Sequence, residues 1–349
     1  MKSEVTAMQM VKDYYGVVLK SQQDLKTTAC CAADAGDEAM KALLAKIHPA
    51  VLAKFYGCGV PIPPAVEGLH VLDLGSGSGR DCYLLSALVG EHGQVTGVDM
   101  TEAQLATARE YQEYHRQAFG YATSNVVFKH GYIEDLQACG IPDASQDLVV
   151  SNCVINLSPR KEMVFKEILR VLKPGGELYF SDVFADRRIP EELRQDPVLL
   201  GECLSGAMYI EDFRRLLQQL GCHDYRVVKT APIEVMDAEI REKLGETQFL
   251  SLTIRAFKLD LEDRCEDYGQ TATYLGNLGA AADGFTLDDH HSFAAQQPLP
   301  VCKNTAQMLS QSRYQRYFSL AGEGNIHRGL FQCHEETTPV TAPATGGCC

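Results

Sequence analysis

From residue 69 onward, short apolar runs alternate with helical patterns. His70 to Leu74 reads as a strand, followed by a glycine loop and a helix from Arg80 to Val89. Gln94 to Val98, Val126 to Lys129, Asp147 to Ser151 and Glu177 to Val183 are further strands, bounded by turn-forming residues. Thr101-Glu102-Ala103-Gln104 has the form of a capping box that opens a helix. Pro159 suits the first turn of a helix that runs to Leu172 and ends at Lys173-Pro174-Gly175-Gly176. Phe213, Leu216, Leu217 and Leu220 fall at helical spacing, with Gly221 as a carboxyl cap. Leu250, Leu252, Ile254 and Ala256 alternate with polar residues, the period of a half-buried strand. Strands alternating with helices predict an α/β fold around a doubly wound, largely parallel sheet.

The flanks differ. Residues 1–67 lack strand alternation and read as an N-terminal helical segment, with candidates at Val11–Leu19 and at Ala39–Leu52, the second broken by Pro49. Residues 57–64 form a rigid Gly- and Pro-rich connector. Beyond Asp260 the periodic signal fades, apart from a helical stretch from Thr305 to Phe318. The expected organisation is a helical cap at 1–67, a nucleotide-binding α/β domain at 68–230 and a smaller α+β region at 231–336 that is a candidate lid. A disordered tail rich in Thr, Pro, Ala and Gly follows at 337–349.

Composition narrows the function. The net charge of −14 argues against a nucleic-acid partner, since phosphate binding needs a basic surface. No apolar run approaches the ~20 residues of a membrane helix, and no apolar signal segment follows Met1. A cytoplasmic protein is the expectation. Thirteen cysteines are then unusual, because the cytosol keeps thiols reduced. No CxxC pair occurs, which weakens a zinc reading. The thiols are inert core residues, ligands for a soft atom, or partners in disulfide exchange.

Val71-Leu72-Asp73-Leu74-Gly75-Ser76-Gly77-Ser78-Gly79-Arg80 runs from strand through glycine loop into helix. The glycines permit positive φ and close approach of a ligand, and helix amides face an anionic group. Asp99 closes the next strand, where a carboxylate accepts ribose hydroxyls. The spacing is G-x-G-x-G, and Asp73 precedes it. An acid there suits the ammonium of a methionine moiety and repels a pyrophosphate, which disfavours a dinucleotide-binding dehydrogenase. With His130-Gly131-Tyr132-Ile133-Glu134-Asp135 and Leu172-Lys173-Pro174-Gly175-Gly176, the pattern resembles class I S-adenosylmethionine methyltransferases, which have a Rossmann-like fold. The resemblance assigns S-adenosylmethionine to Asp73, Gly75, Ser76, Gly77, Asp99, Met100, Ile133, Glu134 and Asn152.

That fold methylates many substrates and names none of them. The thiols are more specific. Cys153 follows the fourth strand in Ser151-Asn152-Cys153-Val154-Ile155-Asn156-Leu157, and Cys203 lies in Gly201-Glu202-Cys203-Leu204. Cys58 lies in Tyr56-Gly57-Cys58-Gly59, and Cys30 and Cys31 are adjacent. Together with Tyr14-Tyr15-Gly16 and the glycine loop through Asp81-Cys82-Tyr83, these motifs resemble arsenite methyltransferases over roughly residues 10–260. The resemblance implies that Cys153 and Cys203 bind trivalent arsenic and that Cys58 supplies a third thiolate. It also implies that Cys30 pairs with Cys58, and that Cys31 has no counterpart. The implied substrates are arsenite and methylated arsenicals. A thiol reductant, the thioredoxin or glutathione system, is the implied partner.

Competing readings stay open at this point. A methyltransferase acting on carbon of RNA or a small molecule would use Cys153 as a covalent nucleophile. A metalloid-sequestering protein would need the thiols and not the methyl donor. Cys82 is expected to pack, and Cys139, Cys222, Cys265, Cys302 and Cys333 to be structural or incidental. His290-His291 is expected to be a solvated loop pair, not a metal site. Cys348-Cys349 is an exposed thiol pair or part of a tail without a role; it also resembles prenylated double-cysteine ends, a reading ranked last because it is not a CaaX box and nothing else resembles a GTPase.

Overall fold

The computed structural model describes residues 38–332, except Tyr56, Cys58, Gln195, Pro197, Val198, Gly201 and Glu202. The readings placed on Tyr14-Tyr15, Cys30, Cys31, Cys58, Cys333 and the tail lie outside the described residues.

Five parallel strands form the centre: β1 (His70–Leu74), β2 (Gln94–Asp99), β3 (Val126–His130), β4 (Gln146–Asn152) and β5 (Leu172–Ala185). β1, β2, β4 and β5 are apolar runs buried on both faces, so no solvent side imposes alternation, whereas the edge strand β3 alternates buried and exposed positions. β6 (Met208–Tyr209) pairs with β5. β7 (Tyr225–Pro232) and β8 (Phe249–Phe257) run antiparallel, with β8 between β5 and β7. The order is β3-β2-β1-β4-β5-β8-β7. The direction of winding reverses between β1 and β4, and ligands of such sheets bind at the carboxyl ends of the strands there. The sheet therefore extends to Phe257, beyond the boundary at 230 drawn from the sequence.

β5 is longer than its sequence suggests. Lys173-Pro174-Gly175-Gly176 reads as a helix stop, yet the strand starts at Leu172, pairing with Gln146 before a register shift. The second half of the fading region is also structured. β9 (Gln270–Tyr274) pairs with β12 (Pro298–Val301) and β13 (Phe318–Ala321), while β10 (Gly284–Thr286) and β11 (Ser292–Ala294) form a hairpin. Tyr274, Phe285, Phe293 and Tyr314 build a separate core with Leu287 and Met308. The helix expected from Thr305 to Phe318 spans Lys303–Ser310, and a 3-10 turn covers Arg313–Tyr317.

Buried ion pairs fasten this region to the sheet. Arg255 on β8 pairs with Glu177 on β5 at 2.9 Å, and Arg313 reaches the same carboxylate. Arg226 on β7 meets Asp224 at 2.7 Å and Asp288 at 3.3 Å. His291 is bonded to Asp288 at 2.7 Å and is buried, so the expectation of a solvated pair fails for it. The reason is that Asp288 holds the imidazole beside Arg226. Among the described residues, no helix is long and apolar enough to cross a membrane.

Candidate functional site

A cavity opens at the winding reversal, over the carboxyl ends of β1, β2 and β4. Its walls include Asp73, Gly75, Ser76, Gly77, Asp99, Met100, Ile133, Glu134 and Asn152, all nine positions read from the sequence as cofactor contacts. Cys153 lines it as well.

The glycine loop is shaped by its neighbours. Gly75 has φ +71, and a Cβ there would lie 2.4 Å from the Val154 side chain. Gly77 has φ +52, and its amide donates to Asp99 Oδ2 at 2.9 Å. The Thr101 amide donates to Asp99 Oδ1 at 2.7 Å. Both carboxylate oxygens are thus fixed by backbone, which orients Asp99 before any ligand arrives. The capping box is not realised. The Thr101 side chain makes no cap bond, and Gln104 turns to the cavity instead.

Asp73 is 3% exposed and accepts the Cys82 thiol at 3.1 Å. Burial pushes its carboxyl up to about 8, and the nearby charges of Asp81 and Asp99 add to that. A cation in the cavity would relieve this. Cys82 therefore packs, as expected, and also orients Asp73. Asp81 is neutralised by Arg80 at 2.6 Å and accepts from Asn152 Nδ2 at 2.8 Å.

The described residues fit S-adenosylmethionine. Asp99 presents an ordered acceptor for hydroxyls, and Asp73 an acid for an ammonium. Ser76 Oγ and Gln104 Oε1 are buried in the wall with no partner among the described residues, so a polar ligand would satisfy groups that otherwise cost free energy. Gln104, Lys54 and Phe55 also line the cavity and were missed from the sequence, Gln104 because its spacing from Thr101 imitates a cap.

Cys153 lines one end of the cavity, and Cys203 is bonded to its backbone. Cys153 and Cys203 have φ +56 and +61, a left-handed backbone rare outside glycine. Such strain persists only where the surroundings enforce it, and it clusters at functional sites. The Cys153 amide donates to the Ser181 carbonyl on β5 at 2.8 Å, holding the turn after β4. The Cys203 thiol donates to the Cys153 carbonyl at 3.5 Å. Both residues sit in an apolar cluster with Val183, Leu199 and Leu204. Cys153 is disulfide-bonded here, so it presents a thiolate only after reduction. Gly59 accepts from Asn152 Nδ2 and from Arg80 Nη2, each at 2.9 Å. A Cβ on Gly57 would lie 2.7 Å from Asn152 Nδ2. The residues flanking Cys58 thus pack beside Asn152, the neighbour of Cys153. Cys30 and Cys58 themselves lie outside the described residues. Cys139, Cys222 and Cys302 keep their thiols away from the cavity, and Cys265 is disulfide-bonded.

Comparison with known proteins agrees with this geometry. A family model described as "Methyltransferase domain" matches residues 65–221. The arsenite methyltransferase of Aquipseudomonas alcaligenes is 53% identical, covering 92% of this chain and 93% of that protein. The arsenite methyltransferase of Homo sapiens is 40% identical over 97% of this chain and 95% of its own length. The crystal structure of an arsenic(III) S-adenosylmethionine methyltransferase from Chlamydomonas reinhardtii superposes with a TM-score of 0.82 at 49% identity, covering 85% of this chain and 100% of that one. With a Rossmann-like sheet, a cavity that suits S-adenosylmethionine and such relatives, this chain belongs to the arsenite methyltransferase family.

Proposed function

We propose that this protein methylates trivalent arsenic, first arsenite and then methylarsenite, with S-adenosylmethionine as methyl donor. The observation that carries the reading is that Cys153 lines the cofactor cavity and that the Cys203 thiol reaches the Cys153 carbonyl at 3.5 Å. Trivalent arsenic is soft, so thiolates suit it better than carboxylates. Cys153, Cys203 and Cys58 would hold it through three sulfurs, which leaves its lone pair as the nucleophile. Bound S-adenosylmethionine supplies an electrophilic methyl group. Asp99 and Asp73 would hold its ribose and ammonium ends, and the thiol turn orients the arsenic toward it. No general base is required, because arsenic carries no proton to remove.

Methylation formally oxidises arsenic by two electrons. Two cysteine thiols can return them by forming one disulfide, and Cys30 with Cys58 is the pair that the family resemblance offers. An external thiol then resets that pair. A thioredoxin or glutathione system in the cytoplasm suits this role, and it would also release Cys153 from its disulfide.

The test is a reaction of reduced protein with arsenite, thiol and S-adenosylmethionine, with arsenic species separated by mass. The expected products are methylated arsenicals from the wild type and none from Cys153→Ser or Cys203→Ser. Unmethylated arsenic alone from the wild type would defeat the reading. A Cys203→Ser variant at full first-methylation rate would defeat the thiol assignment.

A further inference from the structure

The helix Lys161–Val171 has mixed charge at its start. Its cap is Arg160, its first residue is Lys161 and Glu162 follows, and no side chain caps it. Helix amino ends favour negative groups, which Glu162 supplies and Lys161 does not. Lys161 spends its charge elsewhere. Its Nζ turns back and donates to the carbonyls of Asn156 and Ser158, each at 2.9 Å. Burial lowers this ammonium to about 8, Asp182 opposes that, and Arg194, Cys203 and Glu134 also face it.

Both carbonyls belong to the turn that leads from the thiols to the cofactor wall. At one end, Cys153 accepts the Cys203 thiol. In the middle, Asn156 donates to Asp182 from its amide at 3.1 Å and from Nδ2 at 2.7 Å. Gly206, three residues after Cys203, is pressed on the same Asn156 carbonyl, where a Cβ would lie 2.1 Å from the oxygen. At the other end, Ser158 Oγ donates to Glu134, and both line the cavity.

We propose that Lys161 is a positioning residue for methyl transfer: by tying the Asn156 and Ser158 carbonyls together it locks residues 153–158, and so fixes the acceptor thiols relative to the cofactor wall. The acceptor half of this inference rests on the arsenic reading above. The lock on the turn does not. Lys161 touches neither reactant, so its removal should misplace groups and leave cofactor binding largely intact.

The experiment compares Lys161→Met with Lys161→Arg by hydrogen exchange, binding of S-adenosylhomocysteine and turnover. In the Met variant, amide exchange across residues 155–158 should accelerate by about tenfold or more while the central strands keep their protection. Turnover at saturating donor should fall by about tenfold or more, with S-adenosylhomocysteine affinity changed by less than about threefold. Arg keeps a charged donor and should restore protection and most of the turnover. Unchanged exchange in the Met variant, or an Arg variant no better than Met, overturns the proposal. Should the Met variant fail to fold, Lys161→Gln is read in the same way, and failure of both would count against a positioning role. If the wild type makes no methylated arsenic while exchange still follows the substitutions, the arsenic reading falls and the lock stands.

Discussion

The two ends of the cavity are built on different principles. The cofactor end is local. Asp73, the glycine loop and Asp99 come from consecutive strands within 27 residues, and Asp99 is oriented by two backbone amides, so the wall forms with the fold itself. The thiol end is assembled from afar. Cys153 and Cys203 stand 50 residues apart, both on left-handed backbone, and meet through one weak thiol-to-carbonyl bond. At the cofactor end Asp99 is oriented by main-chain amides, whereas the thiol end combines main-chain bonds with side-chain contacts and an oxidation state. Changes at the thiol end should therefore abolish chemistry and spare donor binding, and changes at the cofactor end should weaken donor binding first.

The largest effect should come from Cys203→Ser. A hydroxyl is a poor ligand for a soft centre, and methyl transfer should fall by about 10³-fold or more, in the range seen when a reacting group is removed. Binding of S-adenosylhomocysteine, measured by calorimetry, should stay near wild type. A parallel loss of both would dissolve the distinction between the two ends. Asp99→Ala makes the reverse test. It removes an acceptor for the Gly77 and Thr101 amides as well as for the ligand. Hydrogen bonds to a charged group contribute about 1.5–3 kcal/mol, so donor affinity should drop about 10–100-fold. Arsenite binding to the reduced protein, followed by thiolate absorbance, should persist. Gly206→Ala sits between the ends. Its Cβ would meet the Asn156 carbonyl at 2.1 Å, a backbone contact that cannot swing away. Turnover should fall about tenfold through displacement of the thiol turn, and crystallography or exchange across 153–158 would show the shift.

The same contrast explains what the sequence disclosed. β1, β2, β4 and β5 were legible because strands covered on both faces are plain apolar runs between turns, and β3 because it is a short β-branched and aromatic run. The place of Asp99 on the cavity wall was legible because it closes the second strand, at the carboxyl ends beside the winding reversal. The meeting of Cys153 and Cys203 was not legible from periodicity, since no helix or strand repeat relates them; it came from motif resemblance alone. Gln104 was misread because a capping box and a cavity-facing glutamine share one spacing. β9 to β13 were invisible for another reason. They are short strands, β12 carrying Pro298 and Pro300, and their core rests on Tyr274, Phe285, Phe293 and Phe318, which follow no period. His291 looked like loop because Arg226, beside which Asp288 holds it, is 65 residues away.

The smallest effect, and the one that separates binding from folding at the cofactor end, concerns Asp73. Its carboxyl is raised to about 8 by burial, then by Asp81 and Asp99. An unfolded Asp titrates near ~3.9, so between those two values the folded protein holds more protons than the unfolded chain. Stability owed to this group is therefore present at low pH and is lost as pH rises toward about 8. Asp73→Asn should remove that loss. Its melting temperature should match the wild type near pH 4 and exceed it by about 1–2 °C at pH 8.5, the shift expected of ~1 kcal/mol in a chain of this size. Donor binding should show the opposite dependence. The positive charges of S-adenosylmethionine favour ionised Asp73, so binding to the wild type should release a proton near pH 7 and tighten as pH rises from 6 to 8. Calorimetry in buffers of different ionisation enthalpy reads that proton directly. The Asn variant should bind more weakly, with no such release. If the wild type binds with no proton release at pH 7, Asp73 is not the acid that meets the ammonium, and the cofactor end is held together by Asp99 and the glycine loop without it.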